Sequence, residues 1–209
     1  MVKINFASVG QCFHGRQIFG PLDAELLGGR ITAITGANGS GKSTFLKLAA
    51  HLLPPSQGKV VVTSAEGELH REDLRQRLAM VTPELCLYAR LTARENMDFL
   101  LGLRGLTLDD ALYGELLNRV GLSAERIRHS YVGEFSTGMR QRLNMAVLLA
   151  SPSDIWLLDE PGANLDADGQ EMLAREMQAA KERGVLVAMA TNDPGEEALA
   201  DEIISLAGN

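Results

Sequence analysis

Between Gly36 and Thr44 the chain reads Gly-Ala-Asn-Gly-Ser-Gly-Lys-Ser-Thr, which fits the spacing G-x-x-x-x-G-K-S/T. Glycines at these positions let the backbone curl so that successive N–H groups converge as an anion nest, and a following helix adds the positive end of its dipole. A triphosphate is the ligand such a nest suits. Gly36, Ala37, Asn38, Gly39, Ser40 and Gly41 would form the cradle, and Lys42 would reach the β- and γ-phosphates as a point charge. The Ser43 hydroxyl would ligate Mg2+, and Thr44 would donate toward the α-phosphate. A Gly-rich turn can also join strand to helix and bind nothing. Here a β-rich run, Arg30 to Thr35, precedes the loop and a helix-like segment, Lys42 to His51, follows it, which is the setting phosphate binding needs.

A second constellation lies far along the chain. Asp154-Ile155-Trp156-Leu157-Leu158-Asp159-Glu160 is an apolar run ending in two acids, as a buried strand would be if it delivered carboxylates to the C-terminal edge of a sheet. Asp159 would hold the Mg2+ shell, and Glu160, facing the γ-phosphate, would orient and polarise an attacking water. An isolated acid pair at a strand end could equally be solvated or cap the next helix. Beside a phosphate loop the catalytic reading gains weight.

These groups need a frame. β-rich runs cover Val2 to Phe6, Arg30 to Thr35, Lys59 to Thr63, Leu78 to Thr82, Ile155 to Leu158, Val185 to Ala190 and Glu202 to Leu206. Helix-like spacing covers Lys42 to His51, Thr92 to Leu103, Asp109 to Val120, Thr137 to Ala150, Ala167 to Lys181 and Gly195 to Ala200. Strands alternating with helices predict an α/β fold with a mostly parallel sheet covered on both faces. The middle, about Thr92 to Ala150, reads as nearly continuous helix and predicts an inserted helical subdomain. No internal repeat is visible.

With 45% apolar residues among 209, the chain can bury a good core as one folded unit. A net charge of −7, with only 20 Lys and Arg, opposes sequence-independent binding to nucleic acid, so no DNA or RNA partner is expected. No stretch approaches the ~20 consecutive apolar residues of a membrane span, and Met1 to Gly10 lacks the pattern of a signal peptide. A role at a membrane would require another chain. Cys12 and Cys86 are too few for a disulfide framework and read as reduced packing residues, which points to the cytoplasm.

Further short motifs then fall into a familiar order. Phe135-Ser136-Thr137-Gly138-Met139, starting 20 residues before Ile155, resembles the signature L-S-G-G-Q and continues into Arg140-Gln141-Arg142. After the acids, Ala163-Asn164-Leu165-Asp166 resembles a D-loop, and Phe13, 23 residues before Gly36, matches the aromatic that stacks on adenine. Over essentially its full length the chain resembles an ABC ATPase nucleotide-binding domain. The resemblance implies a P-loop NTPase core with an antiparallel N-terminal β part and an inserted helical subdomain, all within one ABC domain of residues 1–209: core 1–88 and 151–209, helical subdomain about 89–150. It implies ATP and Mg2+ as ligands and a head-to-tail dimer with a second cassette. In that dimer Ser136, Thr137, Gly138 and Met139, at a helix start, would hold the γ-phosphate of the nucleotide on the opposite subunit. It also implies a separate integral membrane permease subunit that docks on the helical part, hence a cytoplasmic position at the inner face of the cell membrane. The stretch from Leu87 to Asn96, with the short C-terminus, resembles exporter ATPases, including the haem-exporter type of cytochrome c maturation.

Two positions depart from the family pattern in ways that touch the chemistry. Glu84 stands where the family has a Gln that ligates Mg2+; a carboxylate either ligates the metal while adding negative charge near the triphosphate, or faces solvent. Asn192, in Thr191-Asn192-Asp193-Pro194, replaces the switch His; its amide can donate to the γ-phosphate but cannot carry positive charge, so slower hydrolysis is expected. Met139 and Gly162 also differ from the commonest family residues. The expected function is therefore the ATP-hydrolysing subunit of an ABC transporter. A regulatory ABC subunit that binds ATP but hydrolyses it slowly, and a soluble ABC ATPase outside transport, are the alternatives.

Overall fold

In chain order the elements of the computed structural model, which describes residues 1–83 and 87–206, are β1 (Lys3–Phe13), β2 (Arg16–Leu27), β3 (Ile31–Thr35), α1 (Lys42–Ala49), β4 (Gln57–Ser64), β5 (Gly67–Glu68), α2 (Arg71–Arg77), β6 (Leu78–Val81), α3 (Ala93–Gly102), α4 (Asp110–Arg119), α5 (Ala124–Ile127), α6 (Thr137–Ala150), β7 (Ile155–Asp159), α7 (Ala167–Glu182), β8 (Leu186–Ala190), α8 (Pro194–Glu197) and β9 (Glu202–Ser205). They fall into two units. One comprises Met1–Met80, Ser153–Pro161 and the chain from Glu176 onward; the other comprises Val81–Pro152 and Gly162–Arg175.

Two sheets build the first unit. The larger has the order β6-β7-β8-β3-β9, in which β7 with β8, β8 with β3, and β3 with β9 pair in parallel. Every residue of β3, β7 and β8 is buried, as expected of central parallel strands whose apolar runs are covered on both faces. Because these three strands run the same way, the chain leaves all of them at one edge: β3 into the Gly36–Gly41 loop, β7 into Glu160, and β8 into Thr191 and Asn192. The smaller sheet is antiparallel, with the order β2-β1-β4-β5. Its inner face and α1 share one core, centred on Phe45, which stacks on Phe6 with ring centroids 4.2 Å apart. Truncating either ring would cost about 3–5 kcal/mol.

The N-terminal sheet is larger than the sequence predicts. The run Val2 to Phe6 is only the start of β1, and β2 has no counterpart among the predicted strands. The hairpin turns at His14 (φ 48°) and Gly15 (φ 78°), both left-handed, as a two-residue primed turn requires. Gly20 and Pro21 interrupt the apolar alternation of β2, and register shifts between Phe6 and Cys12 break that of β1. A period-two pattern therefore fades exactly where the pairing is irregular, so backbone pairing rather than side-chain alternation defines the ribbon.

In the second unit α6 packs against α3 and α4 through a core that includes Met97, Leu101, Leu116, Leu117, Leu143 and Met145. The three helical segments predicted between Thr92 and Ala150 correspond to α3, α4 and α6, but the stretch is less continuous than expected: the short α5 and a 3-10 segment at Val132–Glu134 stand between α4 and α6. Each α-helix has its own start: a capping box at Thr92 and Glu95, and side-chain caps at Asp109, Ser123 and Ser136. The breaks after α3 and α4 contain Gly105 and Gly121, both at φ near 70°, where a helix cannot continue. Asn96, fully buried, ties the approach to α3: its side chain accepts from the Tyr88 N–H at 2.7 Å and donates to the carbonyls of Tyr88, Leu91 and Thr92.

Among the described residues no helix is long and apolar enough to cross a membrane. Cys12, read from the sequence as a packing residue, is instead exposed, because it lies on the outward side of the irregular end of β1. Cys86 lies outside the described residues.

Candidate nucleotide site

The loop after β3 is shaped by close approach. Gly36 has φ 145°, and a Cβ there would lie 2.5 Å from the Leu206 carbonyl oxygen and 2.6 Å from Ser40 Oγ. Gly41 has φ 98°, and a Cβ there would lie 2.6 Å from Ile18 Cγ2. Only glycine fits either position, so these residues are demanded by packing as well as by curvature. Between them the Ser40 N–H donates to the Ala37 carbonyl at 3.0 Å, and the Phe45 N–H donates to the Gly41 carbonyl at 2.8 Å as α1 begins.

Lys42 is buried, with 6% exposure, and its ammonium donates to the Gly36 carbonyl at 2.8 Å and the Ala37 carbonyl at 3.4 Å. Among the described residues it has no carboxylate partner. A buried cation held only by carbonyl dipoles leaves its charge uncompensated, which is the electrostatic condition for an anion site. Ser40 Oγ, also buried, has no hydrogen-bond partner among the described residues. Beside the loop lies a cleft of about 450 Å³ lined by Phe13, Ile18, Asn38, Gly39, Gly41, Lys42, Ser43, Thr44 and Glu160. Phe13, at the end of β1 and 38% exposed, forms with Ile18 an apolar wall at one side of otherwise polar groups.

The other strand ends bring in the remaining groups. Asp159 closes β7 and is buried. Glu160 follows in the left-handed region, φ 50°, with its N–H donating to the Ala190 carbonyl at 2.9 Å, so a bond to the neighbouring strand holds a backbone that a side-chain-bearing residue avoids. Asn192 does not stand free: its side-chain amide donates to Asn38 Oδ1 at 2.8 Å, linking the turn after β8 to the phosphate loop. Thr191 anchors the same turn, its N–H donating to the Ile34 carbonyl at 3.1 Å and its hydroxyl accepting from the Asp193 N–H at 2.9 Å.

The structure thus gathers Phe13, Asn38, Gly39, Gly41 to Thr44 and Glu160 into one cleft, with Gly36, Ala37 and Ser40 in the loop behind it. Ser136, Thr137, Gly138 and Met139 belong to the second unit, where Ser136 caps α6 by accepting the Met139 N–H at 3.2 Å. Glu84 lies outside the described residues. Sequence reasoning missed Ile18, because it lies on the unpredicted strand β2; the apolar Ile18-Phe19 pair was its only signal. It also missed the bond between Asn38 and Asn192, which depends on β3 and β8 being neighbours.

A phosphate loop, an acid pair and an amide-bearing turn on three adjacent parallel strands, with an antiparallel sheet beside them, define the fold of the P-loop ATP-binding cassettes. The chain belongs to the ABC transporter family, whose model matches residues 19–163. It is 36% identical over 186 residues to the cytochrome c biogenesis ATP-binding export protein CcmA of Bradyrhizobium diazoefficiens, covering 85% of this chain and 86% of that one. The CcmA of Xanthomonas campestris pv. campestris is 37% identical over 163 residues, 78% of this chain and 73% of its own. Among solved structures, the dimeric bacterial ABC transporter cassette MJ0796 superposes with a TM-score of 0.84 at 25% identity, covering 98% of this chain and 94% of that one. A structure of that cassette in a post-hydrolysis state bound to ADP and Pi also has a TM-score of 0.84, at 24% identity, with 99% and 96% covered.

Proposed function

We propose that this chain is the ATP-binding and ATP-hydrolysing subunit of an ABC transporter of the export type, working with a second cassette and a separate membrane subunit. The observation that carries the reading is Lys42, a buried ammonium held by two loop carbonyls at the floor of an open cleft. Incoming β- and γ-phosphate oxygens are better acceptors than those carbonyls, and the loop N–H groups and the start of α1 add to the attraction. Phe13 and Ile18 offer the adenine a flat apolar wall.

Ser43 and Asp159 supply oxygen donors that suit Mg2+, which keeps several waters and takes phosphate oxygens rather than a full protein cage. When bound, the metal would neutralise charge developing on the phosphates. Glu160 orients a water in line with the γ-phosphorus and accepts its proton as the new P–O bond forms and the bond to the β-phosphate oxygen breaks, giving ADP and phosphate. The Ser136-capped tip of α6 presents its N–H groups to the γ-phosphate on the opposite subunit, so closure and reopening of the dimer follow binding and hydrolysis. The dimeric state of MJ0796 supports the paired cassettes, and the CcmA relatives, export proteins by name, support the export reading, from which a position at the inner face of a membrane follows.

The test is Glu160→Gln, which keeps shape and removes the base. Its ATPase rate should fall by about 100-fold or more while Mg-ATP drives it into a stable dimer in sedimentation experiments. A variant that hydrolyses like wild type, or that stays monomeric with ATP even beside its membrane partner, overturns the proposal.

A further inference from the structure

One cluster in the second unit has no part in the scheme above. Arg142 lies on α6 with a side chain only 13% exposed. Its guanidinium donates through Nη1 to the Val120 carbonyl at 2.8 Å and through Nη2 to Asp166 Oδ1 at 2.5 Å. The same carboxylate oxygen accepts the Gly169 N–H at 2.9 Å, so it is shared between α6 and the first turn of α7. Two glycines lie against this pair, where a side chain would collide with it. A Cβ on Gly121 would lie 2.4 Å from Arg142 Nη1; one on Gly169 would lie 2.9 Å from Asp166 Oδ1 and 3.1 Å from Arg142 Nη2. Further along, a Cβ on Gly138 would lie 2.9 Å from the Asn164 carbonyl oxygen.

Gly138 and Arg142 are four residues apart and therefore share a face of α6. The turn Gly162–Asp166 meets that face twice: by bare backbone contact at Gly138, one residue from the helix tip, and by a charge-assisted bond at Arg142. An arginine suits the second contact because its planar fork serves two fixed acceptors at once, which a lysine cannot do.

We propose that Arg142 is a positioning residue that clamps the turn Gly162–Asp166 to α6, so that this turn and the Ser136–Met139 helix tip move as one piece. The consequence for turnover rests on the function proposed above. The turn is joined to Glu160 through Pro161 alone, whereas the helix tip serves the opposite subunit, so the clamp would link one subunit's catalytic strand to its partner's nucleotide.

Hydrogen exchange on the nucleotide-free full chain tests the mechanical claim without reference to ATP. Arg142→Ala should speed amide exchange about tenfold in both 136–140 and 162–169 while leaving α3 unchanged. Asp166→Ala, which breaks the same ion pair from its exposed side, should do the same. Arg142→Lys should restore protection only in part. In steady-state kinetics both alanine variants should lose about tenfold in kcat with little change in KM, and the double variant should lose no more than either single one. Exchange that rises in only one of the two segments, or a double variant whose losses multiply, overturns the clamp. A wild-type chain without ATPase activity would instead sink the functional reading and leave the exchange result standing.

Discussion

Replacing Lys42 with Met separates ligand binding from folding. The side chain is 6% exposed and, among the described residues, its ammonium bonds to the Gly36 and Ala37 carbonyls alone. Methionine has a similar length and no charge, so the variant loses two hydrogen bonds and also loses the burden of a buried, unpaired cation. These effects oppose each other, and the net change in nucleotide-free stability should stay within about 1 kcal/mol. Binding should change far more. A unit charge about 3 Å from a phosphate oxygen is worth roughly 5 kcal/mol at an effective dielectric of about 20. Subtracting about 2 kcal/mol for the two loop bonds given up on binding leaves about 3 kcal/mol, roughly 150-fold in Kd. At Mg-ATP about 100 times the wild-type Kd, ligand linkage stabilises the parent by about 2.7 kcal/mol but the variant by only about 0.3 kcal/mol. For a chain of this size that is a melting shift of about 5–11 °C reduced to about 1 °C. Differential scanning calorimetry in the Glu160→Gln background, where nucleotide is not consumed, reads both numbers. A variant that keeps more than half of the parent's shift would refute the reasoning, and so would one that melts many degrees lower without nucleotide.

Asn192→His should raise the ATPase rate by about tenfold, because an imidazolium makes a charge-assisted bond where an amide makes a neutral one; an unchanged or lower rate in a phosphate-release assay counts against the role given to this turn. His51 has its pKa held below the usual 6.5 mainly by burial, against the opposing pull of the Val60 backbone and Glu68. The folded state then binds fewer protons than the unfolded one, so this contribution to stability is complete above about pH 6.5 and is lost as pH falls below it toward the folded pKa. His51→Asn, which tolerates the left-handed φ of 53° at this position, should flatten the decline in melting temperature between pH 7 and pH 5. Parallel melting curves for variant and parent would rule this source out.

The large sheet was legible because its strands are buried on both faces: Ile155 to Leu158 and Val185 to Ala190 carry uninterrupted apolar runs that no polar face dilutes. The phosphate loop was legible because each of its residue types has a separate physical necessity. What the sequence hid depends on long-range pairing. β2 is held by register with β1 rather than by its own pattern, and Ile18 entered the site only with it. The link between Asn38 and Asn192 joins residues 154 positions apart and exists because β3 and β8 are neighbours. The helix ends before Gly105 and Gly121 were legible too, since the predicted segments stop at Leu103 and Val120; the short α5 and the 3-10 segment after it were not, because neither is long enough to show an apolar period.

Glu160 sits on a backbone better suited to glycine or asparagine, by about 1 kcal/mol. A library of variants selected for heat resistance alone would drift at that position toward either residue, gaining robustness and giving up the carboxylate. Its survivors would still grip nucleotide but lack the means to let go, turning an engine into a latch.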